Sequence, residues 1–354
     1  MRIIYAGSPA IAVPALESLA ALALEDPLPE NTVSEDTALE DPPPGAAGTG
    51  SVPVFELAGV LTNPDSPRGR HGKPEPTSVA AAALVLGARF EQAGRRPPPI
   101  LKPERLGALF RGEIEALHPD LLISFAYGRI FGPKFLALFP LGGINVHPSL
   151  LPAYRGPSPI PQAILNGDRE TGISVQRLAP DMDCGDILAQ ESFPLTGRET
   201  GAALTEDMAR RAALLLPPVV RQLAAGPVQG RPQDPEKASY CGLLSKETGR
   251  IDWNLSARRI EAQVRAYTPW PLSWTLDGDR CLYIIKADRS GSGAGQDGSR
   301  APGTVLGVDK ERGILVQTGD GVLVLTALQY QAKKVLEWRA FLNGARGFIG
   351  RRLG

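Results

Sequence analysis

Gly143-Ile144-Asn145-Val146-His147-Pro148-Ser149-Leu150-Leu151-Pro152-Ala153-Tyr154-Arg155-Gly156 is the stretch around which the chain is organised. It opens apolar, and Pro148 and Pro152 then withhold the backbone donors that a ladder needs, so a short strand ends and a loop begins. Side chains two apart on a strand share a face, which sets Asn145 beside His147. An amide donor and an imidazole at the carboxyl end of a strand suit a reaction in which an oxyanion is stabilised while a proton moves. A structural Asn and a capping His at a loop entry would leave the same trace, so the pair alone does not choose between the two.

Outward from this strand the chain alternates. Residues 2–6 read as a buried strand, Gly7-Ser8-Pro9 as a turn and 10–24 as a helix. Further strands are expected at 54–61, 121–125, 173–178 and 187–193, and helices around 106–117, 158–166 and 200–221, the last broken at Pro217-Pro218. This β-turn-α pattern predicts an α/β, Rossmann-like amino-terminal domain over 1–224. A Gly-, Pro- and Gln-rich stretch at 225–237 reads as a linker. Beyond it, a helix near 257–266 and short strands at 273–276, 282–287, 303–306, 314–318 and 321–328, with Gly-rich turns, predict an OB-type β-barrel domain over 238–354.

The 354 residues suffice for two domains with real cores. Three separated cysteines, Cys184, Cys241 and Cys281, form neither a disulfide framework nor a metal knuckle and point to a reducing compartment, the cytoplasm. With three histidines, His71, His118 and His147, a multi-His metal site is not expected, and no stretch is long and apolar enough for a membrane. Net charge is zero, but seven acids and no base lie between Glu25 and Val52, which leaves the rest of the chain basic by seven. That acidic, then Pro-rich and small-residue stretch cannot bury enough apolar area to order itself and reads as an insertion at about 25–52. A Gly/Ser segment at 288–300 reads as a second one.

Several chemistries are disfavoured. Gly293-Ala294-Gly295-Gln296-Asp297-Gly298 spells a dinucleotide fingerprint but opens no expected helix, and the turn after the first strand lacks that pattern, which argues against a nicotinamide enzyme. There is no nucleophile elbow and no phosphate loop of the Walker type. Asp181, Asp183 and Asp186 invite a calcium reading, yet Asp186 stands where such a loop needs Gly and Ser192 where it needs Glu. The stretch Thr62-Asn63-Pro64-Asp65-Ser66-Pro67-Arg68-Gly69-Arg70-His71-Gly72-Lys73-Pro74 is a basic loop punctuated by Pro and Gly. It suits either phosphate contact or plain solvation.

Asn145-x-His147-x-Ser149-Leu150-Leu151-Pro152-x-x-Arg155-Gly156 followed by Asp183-x-Gly185-Asp186 resembles the folate-dependent formyltransferases. The resemblance implies that Asn145, His147 and Asp183 are catalytic. It also implies that Ser149, Leu150, Leu151 and Pro152 bind 10-formyltetrahydrofolate as co-substrate, with no metal. Four further stretches resemble the branch of that family acting on initiator methionyl-tRNA. They are Pro64-Asp65-x-Pro67-x-Gly69-Arg70, Leu244-Ser245-Lys246-Glu247-x-x-Arg250-Ile251-Asp252-Trp253, Pro269-Trp270-Pro271 and Pro302-Gly303-Thr304. Formyl transfer to that tRNA by a cytoplasmic monomer is the expectation, with Arg68, Arg70, Lys73 and Lys246 on the tRNA. Pro157-Ser158 after Arg155-Gly156 replaces the family's usual small residues, and the two insertions are further departures. A small-amine formyltransferase, a formyltetrahydrofolate hydrolase and a silent tRNA binder are the alternatives.

Overall fold

The structure, a computed structural model, describes residues 1–25, 55–67, 72–290 and 300–354. Nearly all of the acidic insertion, Arg68, Arg70 and His71 of the basic loop, and the Gly-rich run from Gly293 lie outside the described residues. Two compact units interleave along the chain: Met1–His147, Ile173–Glu191 and Met208–Asp234 form the first, and Pro148–Gly172, Ser192–Asp207 and Pro235–Gly354 the second. This partition differs from one cut between 224 and 238, because residues just past the strand at 143–147 pack with the carboxyl-terminal part.

In chain order the elements begin with β1 (Arg2–Gly7), α1 (Val13–Glu25), β2 (Glu56–Leu61), the short pair β3 (Ser66–Pro67) and β4 (Pro74–Glu75), and α2 (Ser78–Gln92). They continue with β5 (Ile100–Leu101), α3 (Ala108–Glu115), β6 (Leu121–Phe125), α4 (Pro133–Leu136), β7 (Gly143–His147) and α5 (Pro159–Asn166). Then come β8 (Glu170–Arg177), β9 (Ile187–Pro194) and α6 (Gly201–Ala225). One sheet runs β5-β2-β1-β6-β7-β8-β9, parallel from β5 to β7, with β8 antiparallel to β7. The β1 and β6 strands carry unbroken apolar runs because helices cover a parallel sheet on both faces; Ile3, Ile4, Tyr5 and Leu121 to Ile123 are fully buried. The chain leaves β1 toward β2 on one side and later returns to β6 on the other, which is where α/β sheets open a crevice at their carboxyl ends.

Local chemistry sets the turns at that end. A Cβ on Gly7 would come within 2.9 Å of both Phe125 O and Ala12 Cβ, so only glycine lets the chain turn out of β1 there. Thr77 caps α2 by accepting from Ala80 N at 3.0 Å, and its hydroxyl meets that of Thr62, the residue after β2, at 2.6 Å. Beneath them Tyr127, Phe131 and Phe135 stack with ring centroids 5.2 and 5.4 Å apart.

Contrary to the expected break, α6 continues through Pro217 and Pro218 to Ala225. A proline removes the hydrogen bond to the carbonyl four residues back. Those carbonyls belong to Ala213 and Leu214, which are half-buried and exposed, so the lost bonds fall on the side of the helix turned away from its buried stripe. Leu204, Met208, Ala212, Leu216, Val219 and Leu223 meanwhile keep one buried stripe.

In the second unit α7 (Ala257–Ala266), capped by Ser256, packs on an antiparallel sheet. Its strands are β10 (Ser273–Asp277), β11 (Arg280–Arg289), β12 (Val305–Asp309), β13 (Gly313–Gln317), β14 (Val322–Tyr330) and β15 (Leu336–Glu337), before α8 (Trp338–Gly344). The order β10-β11-β14-β13-β12, with β15 also on β14, is the antiparallel arrangement expected of an OB-type domain. Ile260, Val264, Ile284, Val316, Leu325, Phe341 and Phe348 share its core.

One charged cluster lies inside this unit. Asp277 is 3% exposed and accepts from Arg351 Nη1 at 2.9 and 3.1 Å, from Arg280 Nη2 at 2.8 Å and from the Tyr330 hydroxyl. Burial by itself raises a carboxyl, but the Tyr330 and Arg351 bonds outweigh it and hold Asp277 below the usual carboxylate range. A depressed folded value contributes stability that is present at neutral pH and is lost as pH falls through it. Because both arginines are partly exposed, Asp277→Asn should cost about 2 kcal/mol at pH 7. In urea titrations the gap to the parent chain should hold from pH 8 to 5 and narrow below about pH 4.

Candidate functional site

Strand β7 lies between β6 and β8 in a register that aligns Ser124 with Asn145 and Asn145 with Gln176, while His147 faces Ser174. Directly opposed residues share a face, as do residues two apart, so these five polar side chains stand on one face of the sheet. Ser124, His147, Ser174 and Gln176 are buried and Asn145 is half-buried. Polar groups in that position cost free energy unless they are hydrogen-bonded. Gln190 Nε2 on β9 donates to Ser174 Oγ at 2.8 Å, and Gln176 Nε2 donates to Asp183 Oδ1 at 2.8 Å. The Asn145 side chain makes no hydrogen bond among the described residues, so its amide is available to a ligand.

Asp183 reaches the row from the loop between β8 and β9. Its Oδ2 stands 3.6 Å from His147 Nδ1, with side-chain exposures of 13% and 5%. That is longer than a direct hydrogen bond, and the carboxylate and the imidazole face each other across it. Loop geometry delivers the carboxylate: Asp183 is left-handed at φ +55°, a region that Asp tolerates better than most residues. Gly185 follows because a Cβ there would fall 1.9 Å from Arg177 O. Arg177 N donates to Asp186 O at 2.9 Å, and its guanidinium to Val228 O at 2.9 Å, so the loop is tied at its base. An amide donor, an imidazole and a carboxylate facing that imidazole are the parts of a site that stabilises an oxyanion and moves a proton.

The structure thus brings Asn145, His147 and Asp183 together within the first unit. Ser149, Leu150, Leu151 and Pro152 belong to the second. Ser149 is buried and its hydroxyl donates to Ala153 O at 2.6 Å; Leu151 is buried, and Leu150 and Pro152 are half-buried. The Arg155-Gly156 part of the motif has a structural reason. Arg155 N donates to Ser239 O at 2.8 Å and Cys241 N to Arg155 O at 2.9 Å, and a Cβ on Gly156 would stand 2.3 Å from Cys241 O. Lys73 is exposed in the first unit and Lys246 in the second, while Arg68 and Arg70 lie outside the described residues. Trp274 Nε1 donates to Lys246 O at 2.8 Å, and the Arg250 guanidinium lies 5.8 Å from the Trp274 ring centroid, a basic-aromatic surface that sequence reading reduced to Lys246.

Two further residues went unread. Gln176 is legible in principle, because Ser174-x-Gln176 repeats on β8 the alternation that marks Asn145-x-His147 on β7. Gln233 is not legible: it sits in a stretch with linker composition, and only the fold carries it to Asp183. Among the described residues no group of three or more His, Cys, Asp or Glu is placed to hold a metal ion. Nor, among them, is any helix long and apolar enough to cross a membrane.

The fold and this site define a formyl transferase. Residues 47–220 match the family described as formyl transferase, and 243–346 its C-terminal domain. A methionyl-tRNA formyltransferase of Treponema denticola is 44% identical over 99% of this chain and 98% of its own length. One of Treponema pallidum is 41% identical over 100% and 99%. Among solved structures, WlaRD, a sugar 3N-formyl transferase crystallised in the presence of dTDP and 5-N-formyl-THF, aligns with a TM-score of 0.58 at 17% identity, over 94% of this chain and 99% of that one. That likeness is one of fold. The chain belongs to the methionyl-tRNA formyltransferase family.

The close approach at Gly185 makes a sharp test of the Asp183 loop. Gly185→Ala must push the loop off Arg177, and a displacement of about 1 Å at a reacting group costs about 100-fold in rate. Formyl transfer should fall by that order while circular dichroism shows an unchanged fold.

Proposed function

We propose that this chain transfers the formyl group of 10-formyltetrahydrofolate to the α-amine of methionine esterified to initiator tRNA, as a cytoplasmic monomer without a metal. The observation that carries the reading is the approach of Asp183 to His147 beside an unengaged Asn145 amide. Near-full-length identity to methionyl-tRNA formyltransferases supports the choice of acceptor.

A formamide-like carbon is a poor electrophile, so the barrier lies in the tetrahedral intermediate formed when the neutral amine attacks. That intermediate carries an oxyanion and an ammonium. Asn145 Nδ2 and a His147 N–H donate to the oxyanion, which they favour over the planar ground state. Asp183 takes the ammonium proton, directly or through water, and the proton returns to the folate nitrogen as the carbon–nitrogen bond breaks. Products are N-formylmethionyl-tRNA and tetrahydrofolate, with no net change in protons. Ser149, Leu150, Leu151 and Pro152 bind the folate. Arg68, Arg70, Lys73 and Lys246 neutralise tRNA phosphates, an interaction that weakens as salt rises.

Single-turnover transfer from labelled 10-formyltetrahydrofolate should label charged initiator tRNA and leave charged elongator tRNA unlabelled. Folate turnover without tRNA labelling would instead mean a hydrolase or another amine. Asn145→Ala should lower kcat by about 100- to 1,000-fold, with the folate KM little changed; equal losses in both would remove the oxyanion role. Charge reversal, Arg70→Glu or Lys246→Glu, should raise the tRNA KM and flatten its salt dependence without touching the folate KM.

A further inference from the structure

Two glutamines stand behind the Asp183 loop and have no place in the chemistry above. Gln176 lies on β8 across from Asn145, is 1% exposed, and donates from Nε2 to Asp183 Oδ1 at 2.8 Å. Gln233 comes from 50 residues further along the chain than Asp183. Its Nε2 lies 2.8 Å from Asp183 O, 2.7 Å from Gly185 O and 3.2 Å from Gln176 Oε1, so two amide protons serve three acceptors.

This wiring has a direction. A glutamine amide can present either its oxygen or its NH2, and the network decides which. With Gln176 Oε1 committed to Gln233, Gln176 turns its NH2 to Asp183. The bond to Oδ1 then leaves Oδ2 as the oxygen 3.6 Å from His147 Nδ1. The same Gln233 amide holds two carbonyls of a loop whose backbone is left-handed at Asp183. His147 on β7 is a titratable group that faces this carboxylate. From the neighbouring elements, Arg177 is turned to Val228 O and Arg231 to Gln190 Oε1, and Asp181 and Asp186 share the loop.

We propose that Gln176 and Gln233 are positioning residues for formyl transfer, fixing which oxygen of Asp183 faces His147. The inference rests on the reading of Asp183 as the proton acceptor. A residue that acts through Asp183 loses its effect once that carboxylate is removed. A residue that merely filled space would cost the same with the carboxylate or without it.

The test uses the full chain with charged initiator tRNA and 10-formyltetrahydrofolate. The variants are Gln176→Met and Gln233→Met, which keep length and remove the donor, and Gln176→Glu, which keeps shape and sets a like charge beside Asp183. In Gln176→Met kcat should fall about 10-fold, with the folate KM unchanged. Gln233→Met should lower kcat the same way by less, and Gln176→Glu by more. In a chain that already carries Asp183→Asn, none of the three should cost more than about twofold further. Losses that add in full to that of Asp183→Asn, or rates that fall only as far as Tm falls, would overturn the proposal while an active parent chain leaves the functional reading intact. A parent chain that transfers no formyl group to any charged tRNA would sink both.

Discussion

Burying an amide and an imidazole at the end of a sheet strand is affordable only if the neighbouring strands answer with polar groups at the same register, and much of the first unit follows from that constraint. Ser124 on one side of Asn145 and Gln176 on the other, with Ser174 across from His147, turn one corner of an otherwise apolar sheet into a polar shelf. Slipping β8 by one residue would send Ser174 and Gln176 to the opposite face and bring Val175 and Arg177 into the row. Register and chemistry are therefore one specification here, and the antiparallel hand of β8 lets the chain turn straight back with Asp183 at the turn.

Backbone contacts too close for a side chain guard that specification. Gly7 lets the chain leave β1, and Gly185 lets the Asp183 loop lie against Arg177. Neither glycine touches a substrate in the proposed mechanism. Each fixes a path along which the polar groups are delivered, so motif glycines and motif donors have separate physical reasons for standing side by side in the sequence. Gly156 is a third case, placed against Cys241 in the other unit. The second unit solves a different problem. Its sheet is apolar at the centre, and Asp277, the one buried carboxylate among its described residues, is matched by two arginines and a tyrosine from separate strands and the chain end. That cluster ties the end of the chain to the hairpin of β10 and β11, and no chemistry need be asked of it.

Alternation and punctuation made much of this legible. The apolar runs of β1 and β6, the Pro-stopped β7, the amphipathic α7 and the Gly-bounded short strands all follow from local pattern. The failures have particular causes. Pro217 and Pro218 read as a helix break because a sequence does not say on which side of a helix the lost bonds fall, and in α6 they fall at the half-buried Ala213 and the exposed Leu214. The final helix, α8, went unread because its seven residues follow a basic stretch and offer only Phe341 as a buried side chain. Gln233 was hidden in linker composition that turned out to be a strap across the Asp183 loop.

The sequence by itself determined the alternating α/β and β-rich halves, the place of Asn145, His147 and Asp183 in a recognisable motif, and the basic character outside the acidic insertion, because periodicity, turn residues and charge are local properties. Tertiary structure alone decided which polar groups share the shelf, which oxygen of Asp183 faces His147, and that segments distant in the chain belong to one compact unit. Those are matters of register and of contacts between residues tens of positions apart, and no local pattern encodes the distance between them.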